Sequence, residues 1–340
     1  METDERYMRR ALELASRGDG YVSPNPMVGA VIVAPDGRII GEGYHRRWGE
    51  AHAEVNAVNS VSPVDQGLIP KSTIYVTLEP CSHYGKTPPC AELLIRSGFH
   101  RVVVGAVDPF EKVAGRGIRM LTDAGIEVVS GVMAEESRRL NCRFFTAHTL
   151  QRPYVLLKWA CSRDGFMDVK RGEGNMPARF STPVGQVMVH KLRSQYDAIL
   201  AGPGTLVADN PSLDNRLWWG RSPRAVILNP HGSLPPDLKV LGRDDNIIYN
   251  ESTGIEDMLS DLYRCGITSL MVEGGAKTLN RFIDSGIWDL ARVEVAPWDL
   301  AERGCVSSPS IPSGYLSSSC ALVSNRVDIY SNNPLKLNYI

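Results

Sequence analysis

The sequence has no long apolar run: nothing in it approaches the ~18 residues that a membrane-spanning helix requires. Its opening stretch, METDERYMRRALELASRGDG, is charged and amphipathic and lacks the apolar centre of a signal peptide. Net charge is almost absent, at −1 over 340 residues. A general nucleic-acid binder would show a basic domain or stripe, so that class is disfavoured, as is a membrane partner. A small anionic ligand needs only a local group of cations and stays open. A disulfide framework is also missing. The seven cysteines (Cys81, Cys90, Cys142, Cys161, Cys265, Cys305 and Cys320) are odd in number and scattered, which fits a reducing cytoplasm. Finally, no G-x-G-x-x-G follows a strand-like run, so the standard dinucleotide fingerprint is absent.

What is present is ordinary globular composition, 43% hydrophobic and 22% charged. The length suggests two domains of roughly 150 residues each. Residues 3–17 carry apolar groups at helical spacing. PNPMVGAVIVAPDGRIIGEGYH reads as two strands around the turn PDG. Alternating helices and strands follow, with HAEVNAVNSV helical, STIYVTLE a strand and CAELLIRSGF a helix ended by Gly98. ESRRLNCRFFTAHTL reads as one helix that leads through QRP into a new strand. A second α/β alternation then runs from YVLLKWACS to AKTLNRFIDSG. These patterns predict domains over 1–149 and 150–340. The last 40 residues, rich in Ser, Pro and Asn, carry no readable pattern.

The first domain holds a constellation. His52 and Glu54 stand in GEAHAEVNA, and Cys81 and Cys90 in EPCSHYGKTPPC. Zinc takes nitrogen and sulfur ligands, and its catalytic sites leave one of four positions for water. His52, Cys81 and Cys90 supply three, two of them at predicted helix starts, where the helix dipole favours a thiolate. Glu54 is left free to carry protons between water and a leaving amine. H-x-E followed by P-C resembles the nucleobase deaminases, although the second spacing here is eight intervening residues rather than two. A closed structural site with His83 as fourth ligand is the competing reading, and it leaves Glu54 without a purpose.

PNPMVGAVIV, AHAEVNAV and TLEPCSHYGKTPPC closely resemble the bifunctional deaminase/reductase family of riboflavin biosynthesis. The likeness continues through KWACSRDG, TPVGQVMVHKLRSQYDAILAGPGTLVADNPSLDNR and MVEGGAKTLNRF, about residues 5 to 297. It implies a cytidine-deaminase-like α/β/α domain followed by a dihydrofolate-reductase-like α/β domain. It implies two reactions: zinc-dependent hydrolytic deamination of a diamino-ribosylaminopyrimidinone 5′-phosphate, then NADPH reduction of the ribosyl group to ribityl. It implies a cytoplasmic homo-oligomer, dimer or tetramer. By position, Asn25, His45 and Lys86 hold the deaminase substrate. Arg193, Leu213, Arg216 and Glu273 contact the reductase substrate. Ala160, Thr205, Asp209, Gly274 and Gly275 match cofactor positions, and Lys158 and Asp209 are candidates to position or protonate the sugar. Gly-Gly between a strand and a helix also lets a phosphate approach a helix N-terminus, although an ordinary turn would read the same.

Two stretches depart from the family. Where it has Ser-x-Trp-Ile before the helix near Pro183, this chain has PARFS, with Pro177 and Arg179 at the Ser and Trp positions. After VEVAP it has WDLAERGCVSS. The first departure keeps open a deaminase whose second domain lacks reduction. A zinc-stabilised binding protein and a nucleic-acid deaminase compete from different classes. The former would tolerate loss of Glu54, and the latter would favour a basic face and a P-C-x-x-C loop.

Overall fold

The computed structural model describes residues 2–84, 88–109, 114–170, 178–229, 232–250 and 252–333. The chain divides into two compact units, Met1–Leu150 and Gln151–Asn338. Among the described residues no helix is long and apolar enough to cross a membrane.

The first unit runs α1 (Glu2–Ala15), β1 (Gly29–Val33), β2 (Ile39–Tyr44), α2 (Ala53–Asn59), β3 (Thr73–Leu78), α3 (Cys90–Arg96), β4 (Arg101–Ala106), α4 (Arg116–Asp123), β5 (Glu127–Ser130), α5 (Ala134–Leu140) and α6 (Cys142–Leu150). The sheet order is β2-β1-β3-β4-β5. β1 is antiparallel to both neighbours, and β3, β4 and β5 are parallel. Helices cover both faces, so β1 reads GAVIV and is buried at every position instead of alternating. One face packs Ile32, Ile74 and Val104 against Ala53, Leu94 and Leu121 of α2, α3 and α4. The other packs Val31, Tyr75 and Val103 against Met8, Ala11 and Leu14 of α1. Gly43 lets α2 lie directly on β2: a Cβ there would sit 2.3 Å from the Ala57 nitrogen and 2.5 Å from the Ala53 carbonyl oxygen.

The helix read over ESRRLNCRFFTAHTL is two helices. Asn141 breaks it because its side chain is committed elsewhere. Its Oδ1 accepts from the Met27 N–H at 2.7 Å, and its Nδ2 donates to the Met27 carbonyl at 2.9 Å. That reciprocal pair fastens the start of α6 beside the P-N-P loop.

The second unit runs β6 (Tyr154–Cys161), β7 (Phe166–Val169), α7 (Pro183–Gln195), β8 (Ala198–Ala201), α8 (Pro203–Asp209), β9 (Arg224–Leu228), β10 (Ile247–Tyr249), α9 (Ile255–Arg264), β11 (Ser269–Val272), α10 (Ala276–Ser285), β12 (Leu290–Val295), β13 (Gly304–Ser307), β14 (Leu316–Leu322) and β15 (Asn325–Ser331). Its main sheet has the order β10-β9-β8-β11-β6-β12-β15-β14, and β7 pairs with β13 in a separate ribbon. From β10 to β12 the strands are parallel, and β15 and β14 then add on antiparallel. The strands at the C-terminal end escaped the sequence pattern for physical reasons. β12 carries Arg292 and Glu294 in its buried interior, and β14 is exposed along almost its whole length, so neither shows apolar alternation.

A buried ion pair fastens the two ends of this unit. Asp289, 0% exposed, takes both terminal nitrogens of Arg152 at 2.6 and 3.0 Å, the Val155 N–H at 2.7 Å and Asn333 Nδ2 at 2.9 Å. Asp289→Ala strands the arginine, which should cost on the order of 3–5 kcal/mol. The expected outcome is a lower thermal midpoint by tryptophan emission, since Trp159, Trp218, Trp219, Trp288 and Trp298 all lie in this unit. An unchanged midpoint would show that the pair does not fasten the fold.

Candidate active sites

In the first unit, parallel-strand ends and helix starts converge on three ligand atoms. His52 is the N-cap of α2, Cys90 is the first residue of α3, and Cys81 lies in the loop after β3. His52 Nδ1 stands 3.6 Å from Cys81 Sγ and 3.4 Å from Cys90 Sγ, and all three ligand atoms lie within 4.8 Å of one another. Zinc–sulfur and zinc–nitrogen bonds of about 2.3 and 2.0–2.1 Å in a tetrahedron put N and S about 3.5 Å apart, so the donor set fits zinc. The charges fit too. The Cys81 thiol is drawn down to about 4, chiefly by its hydrogen bond with Cys90 and then by His52. Cys90 is pushed well up by sharing that proton and by burial. Side by side, the two sulfurs accept one negative charge readily and resist the second, a resistance that a dication removes. His83 lines the adjoining cavity but is not in the three-member cluster.

Glu54 opens onto the same cavity, of about 290 Å³. It is 3% exposed, and burial pushes its carboxyl up to about 7. A carboxyl poised there can both accept and return a proton near neutral pH. Asn25 and His45 also line the cavity, with the His45 ring edge-on to that of His52 at 5.4 Å between centroids. His45 Nδ1 lies 3.1 Å from the Ala51 carbonyl, which can only accept, so Nδ1 carries the hydrogen. Nε2 then accepts from the Asn25 amide at 3.3 Å. Burial lowers the His45 pKa and keeps the ring neutral. Lys86 lies outside the described residues.

Several residues of this site carried no readable signal. Glu79, buried just before Cys81, accepts N–H groups from Gly115 and Gly117 at 2.9 Å each and from Asp108 and Ile118 at 3.3 Å. It holds Asp108 and the start of α4 to the site. Only its place in the run EPC could have marked it. Phe144 and His148 of α6 also line the cavity, because Asn141 anchors that helix there.

In the second unit the candidate residues collect where the parallel strands end, the usual ligand edge of an open α/β sheet. Glu273 directly follows β11 and meets Arg193 of α7 in a fork, with Nε to Oε1 at 3.2 Å and Nη2 to Oε2 at 2.7 Å. Arg193 also donates to the Asp214 carbonyl at 3.0 Å. Burial works against the Glu273 charge, but Arg193 and Lys158 outweigh it and hold the carboxyl at about 2. Lys158 on β6 stands in the same cluster, and burial lowers its pKa. Ala160 lies half-buried further along β6.

The loops after β8 and β11 lie side by side. A Cβ on Gly274 would come within 2.9 Å of Thr278 and 3.4 Å of the Gly202 nitrogen. Gly275 caps α10, and Thr205 Oγ1 would stand 3.2 Å from its Cβ. Beside Gly204 the space is open to 4 Å. Bare backbone at a helix start, next to a hydroxyl, suits the phosphates of a dinucleotide. Asp209 is the exposed last residue of α8, roughly 9 Å along the helix from Pro203. Leu213 is buried with φ +50°. The exposed Arg216 pairs with Asp214, and its N–H donates to His190 Nδ1 at 3.2 Å. Both arginines have a carboxylate partner, but the Arg193 side chain is 12% exposed and that of Arg216 60% exposed, which makes Arg216 the better placed of the two for a phosphate. Arg179 is exposed, and Pro177 lies outside the described residues.

Comparison with known proteins agrees with this division. Residues 1–106 match the cytidine and deoxycytidylate deaminase zinc-binding region, and residues 153–313 match the RibD C-terminal domain. The chain thus joins a zinc deaminase domain to a reductase domain of dihydrofolate-reductase-like fold. Riboflavin biosynthesis protein RibD of Escherichia coli strain K12 is 43% identical over 347 residues, covering 91% of this chain and 92% of that protein. The RibD of Aquifex aeolicus is 37% identical over 324 residues, covering 88% and 89%. Among solved structures, Acinetobacter baumannii RibD superposes with a TM-score of 0.87 at 32% identity, covering 97% of this chain and 99% of that one. A Thermotoga maritima diaminohydroxyphosphoribosylaminopyrimidine deaminase/5-amino-6-(5-phosphoribosylamino)uracil reductase superposes with a TM-score of 0.86 at 36% identity and the same coverage. The chain belongs to the RibD family of riboflavin biosynthesis proteins.

With three protein ligands, loss of either sulfur should release the ion. Cys81→Ser and Cys90→Ser are each expected to hold far less than one zinc per chain by elemental analysis after dialysis. Undiminished zinc in either variant would remove that cysteine from the metal site.

Proposed function

We infer that this chain catalyses two consecutive steps of riboflavin biosynthesis, hydrolytic deamination of the diaminopyrimidine phosphate and reduction of the ribosyl group of the resulting aminouracil. The observation that carries the reading is the pairing of a three-donor zinc cluster with a buried carboxyl, Glu54, that is not needed as a ligand. The deaminase reaction is assigned to residues 1–149 and the reductase reaction to residues 150–340.

In the first reaction zinc, when bound, acts as a Lewis acid that lowers the pKa of water to about 7. Glu54 takes a proton from the attacking water and delivers one to the amine nitrogen, the C–N bond breaks, and ammonia leaves. Asn25 and neutral His45 offer the base and ribose an amide and a ring nitrogen, and Lys86 meets the phosphate. In the second reaction NADPH supplies the hydride. Gly274, Gly275, Thr205 and Ala160 support the cofactor, with Asp209 at the far end of the same helix as Thr205. The Arg193–Glu273 fork, Leu213 and Arg216 hold the substrate, and Lys158 gives the proton that the reduced sugar takes up. The buried cluster around Lys158 favours reduction over a second domain that has lost it.

We also propose a cytoplasmic homo-oligomer, dimer or tetramer. None of the seven cysteines is in a disulfide, as a reducing compartment allows. β14 is an exposed edge strand that starts at the open Leu316, with Tyr315 open just before it, a surface that a second copy would cover.

The test is Glu54→Gln, which keeps the size and removes the proton transfer. The variant should retain zinc and lose deamination by about 10²–10⁴-fold, yet reduce the aminouracil intermediate normally when supplied with it. Near-normal deamination would overturn the role. Loss of zinc would instead make Glu54 part of the metal site.

A further inference from the structure

The two stretches of the second unit that depart from the family meet each other. Phe180, from the run PARFS, and Trp298, from the run after VEVAP, stack with ring centroids 5.2 Å apart and planes 16° apart. That is an offset aromatic stack. The family tryptophan is missing at Arg179. An indole nevertheless stands against the next residue, supplied from beyond β12.

Both rings are firmly held. The carbonyl of the buried Phe180 accepts from Asn325 Nδ2 at 2.9 Å. Trp298 is fixed by the turn between β6 and β7. Its carbonyl accepts from the Arg163 N–H at 2.9 Å, and Arg163 Nε donates to Asp299 Oδ1 at 2.9 Å. The Asp164 carboxylate takes the N–H groups of Leu300 and Ala301 at 3.0 and 2.8 Å. Every residue from 298 to 301 is thus tied to that turn, and Ala301 is held in the left-handed region at φ +51°. Such a conformation persists only where its surroundings enforce it. Yet Trp298 is 37% exposed. A large ring fixed so firmly on one face and left open on the other suits a partner that is itself a flat ring.

Its place in the fold says which ring. Phe180 packs with Ala160, Ala296 and Leu300. Ala160 follows Lys158 by two positions on β6, so the two side chains share one face of the sheet, about 7 Å apart. The sheet order β8-β11-β6-β12 sets the direction. The bare helix start that suits the phosphates lies at the ends of β8 and β11, and the stacked pair lies on the β6–β12 side. A dinucleotide with its phosphates there turns one ring toward β6 and β12, beside Lys158. The ring beside the proton donor is the one that gives the hydride.

We propose that Trp298, backed by Phe180, is a cofactor-binding residue whose open face is the platform for the nicotinamide ring of NADPH. This rests on the reading of the second unit as the NADPH-dependent reductase. The indole covers one face of the nicotinamide and leaves the other for the sugar. Phe180 is a positioning residue that sets the tilt of the indole.

The experiment measures binding of two ligands to the full-length, zinc-loaded enzyme by titration calorimetry. One is NADPH and the other is adenosine 2′,5′-bisphosphate, which lacks the nicotinamide. Trp298→Ala should raise Kd for NADPH about tenfold and leave that for the bisphosphate unchanged. Trp298→Phe keeps a flat ring and should recover most of the affinity. Deamination should be unchanged in both variants. An unchanged Kd for NADPH in folded Trp298→Ala overturns the proposal. So does an equal loss for both ligands, which would place the indole at the adenine end or in the fold alone. If Trp298→Ala does not fold, the wild-type enzyme decides. The nicotinamide proton resonances of NADP+ should move upfield on binding, as a ring lying on an indole face requires, and resonances that stay in place overturn the proposal. Failure of the wild type to bind NADPH at all removes the reductase reading and the proposal with it. Wild-type binding that is indifferent to Trp298 removes the proposal alone.

Discussion

Both sites depend on one constraint, that parallel strands end where helices begin. In the first unit the ends of α2 and α3 must bring an imidazole and a thiol to within 3.4 Å of each other, although 38 residues separate them in sequence. That demands that α2 lie directly on β2, which the missing side chain of Gly43 permits. The same edge gives the second unit its paired loops after β8 and β11, where Gly202, Gly274 and Thr278 touch. A side chain at either contact would push a helix away from its strand and spoil the site without altering any reacting group.

The two units use burial of charge in opposite ways. Around Glu54, burial and the neighbouring Cys81 sulfur together outweigh His52 and lift the carboxyl to about 7, so it can trade protons. Around Glu273, two cations outweigh burial and pin the carboxyl at about 2, so it serves as a fixed negative charge. The difference is set by neighbours rather than by depth. Near Glu54 stands an anionic sulfur, and near Glu273 stand Arg193 and Lys158.

Much of this is legible in the sequence. The metal ligands and Glu54 can be read because chemistry demands those residue types in that order, and the family likeness carries the reductase residues. The core strands and helices of both units follow from periodicity and turn chemistry. What escapes is set by long-range contacts. Asn141 looks like any helix residue until Met27 is found beside it. Glu79 looks like a polar residue before a loop until four backbone N–H groups converge on it. β12 hides its burial because its inward residues include Arg292 and Glu294, which offset each other. The engagement of Arg193 by Glu273 cannot be foreseen either, since the two are 80 residues apart in sequence.

The central claim is that one chain performs two chemically different steps in sequence. It is tested most directly by mass spectrometry of the product formed from the diaminopyrimidine phosphate by the zinc-loaded enzyme, with and without NADPH. Without NADPH the product should carry a carbonyl in place of the amine, with the ribosyl group intact. With NADPH it should gain a further pair of hydrogens on the sugar. The same product under both conditions, or reduction that leaves the amine in place, would contradict the two-step sequence.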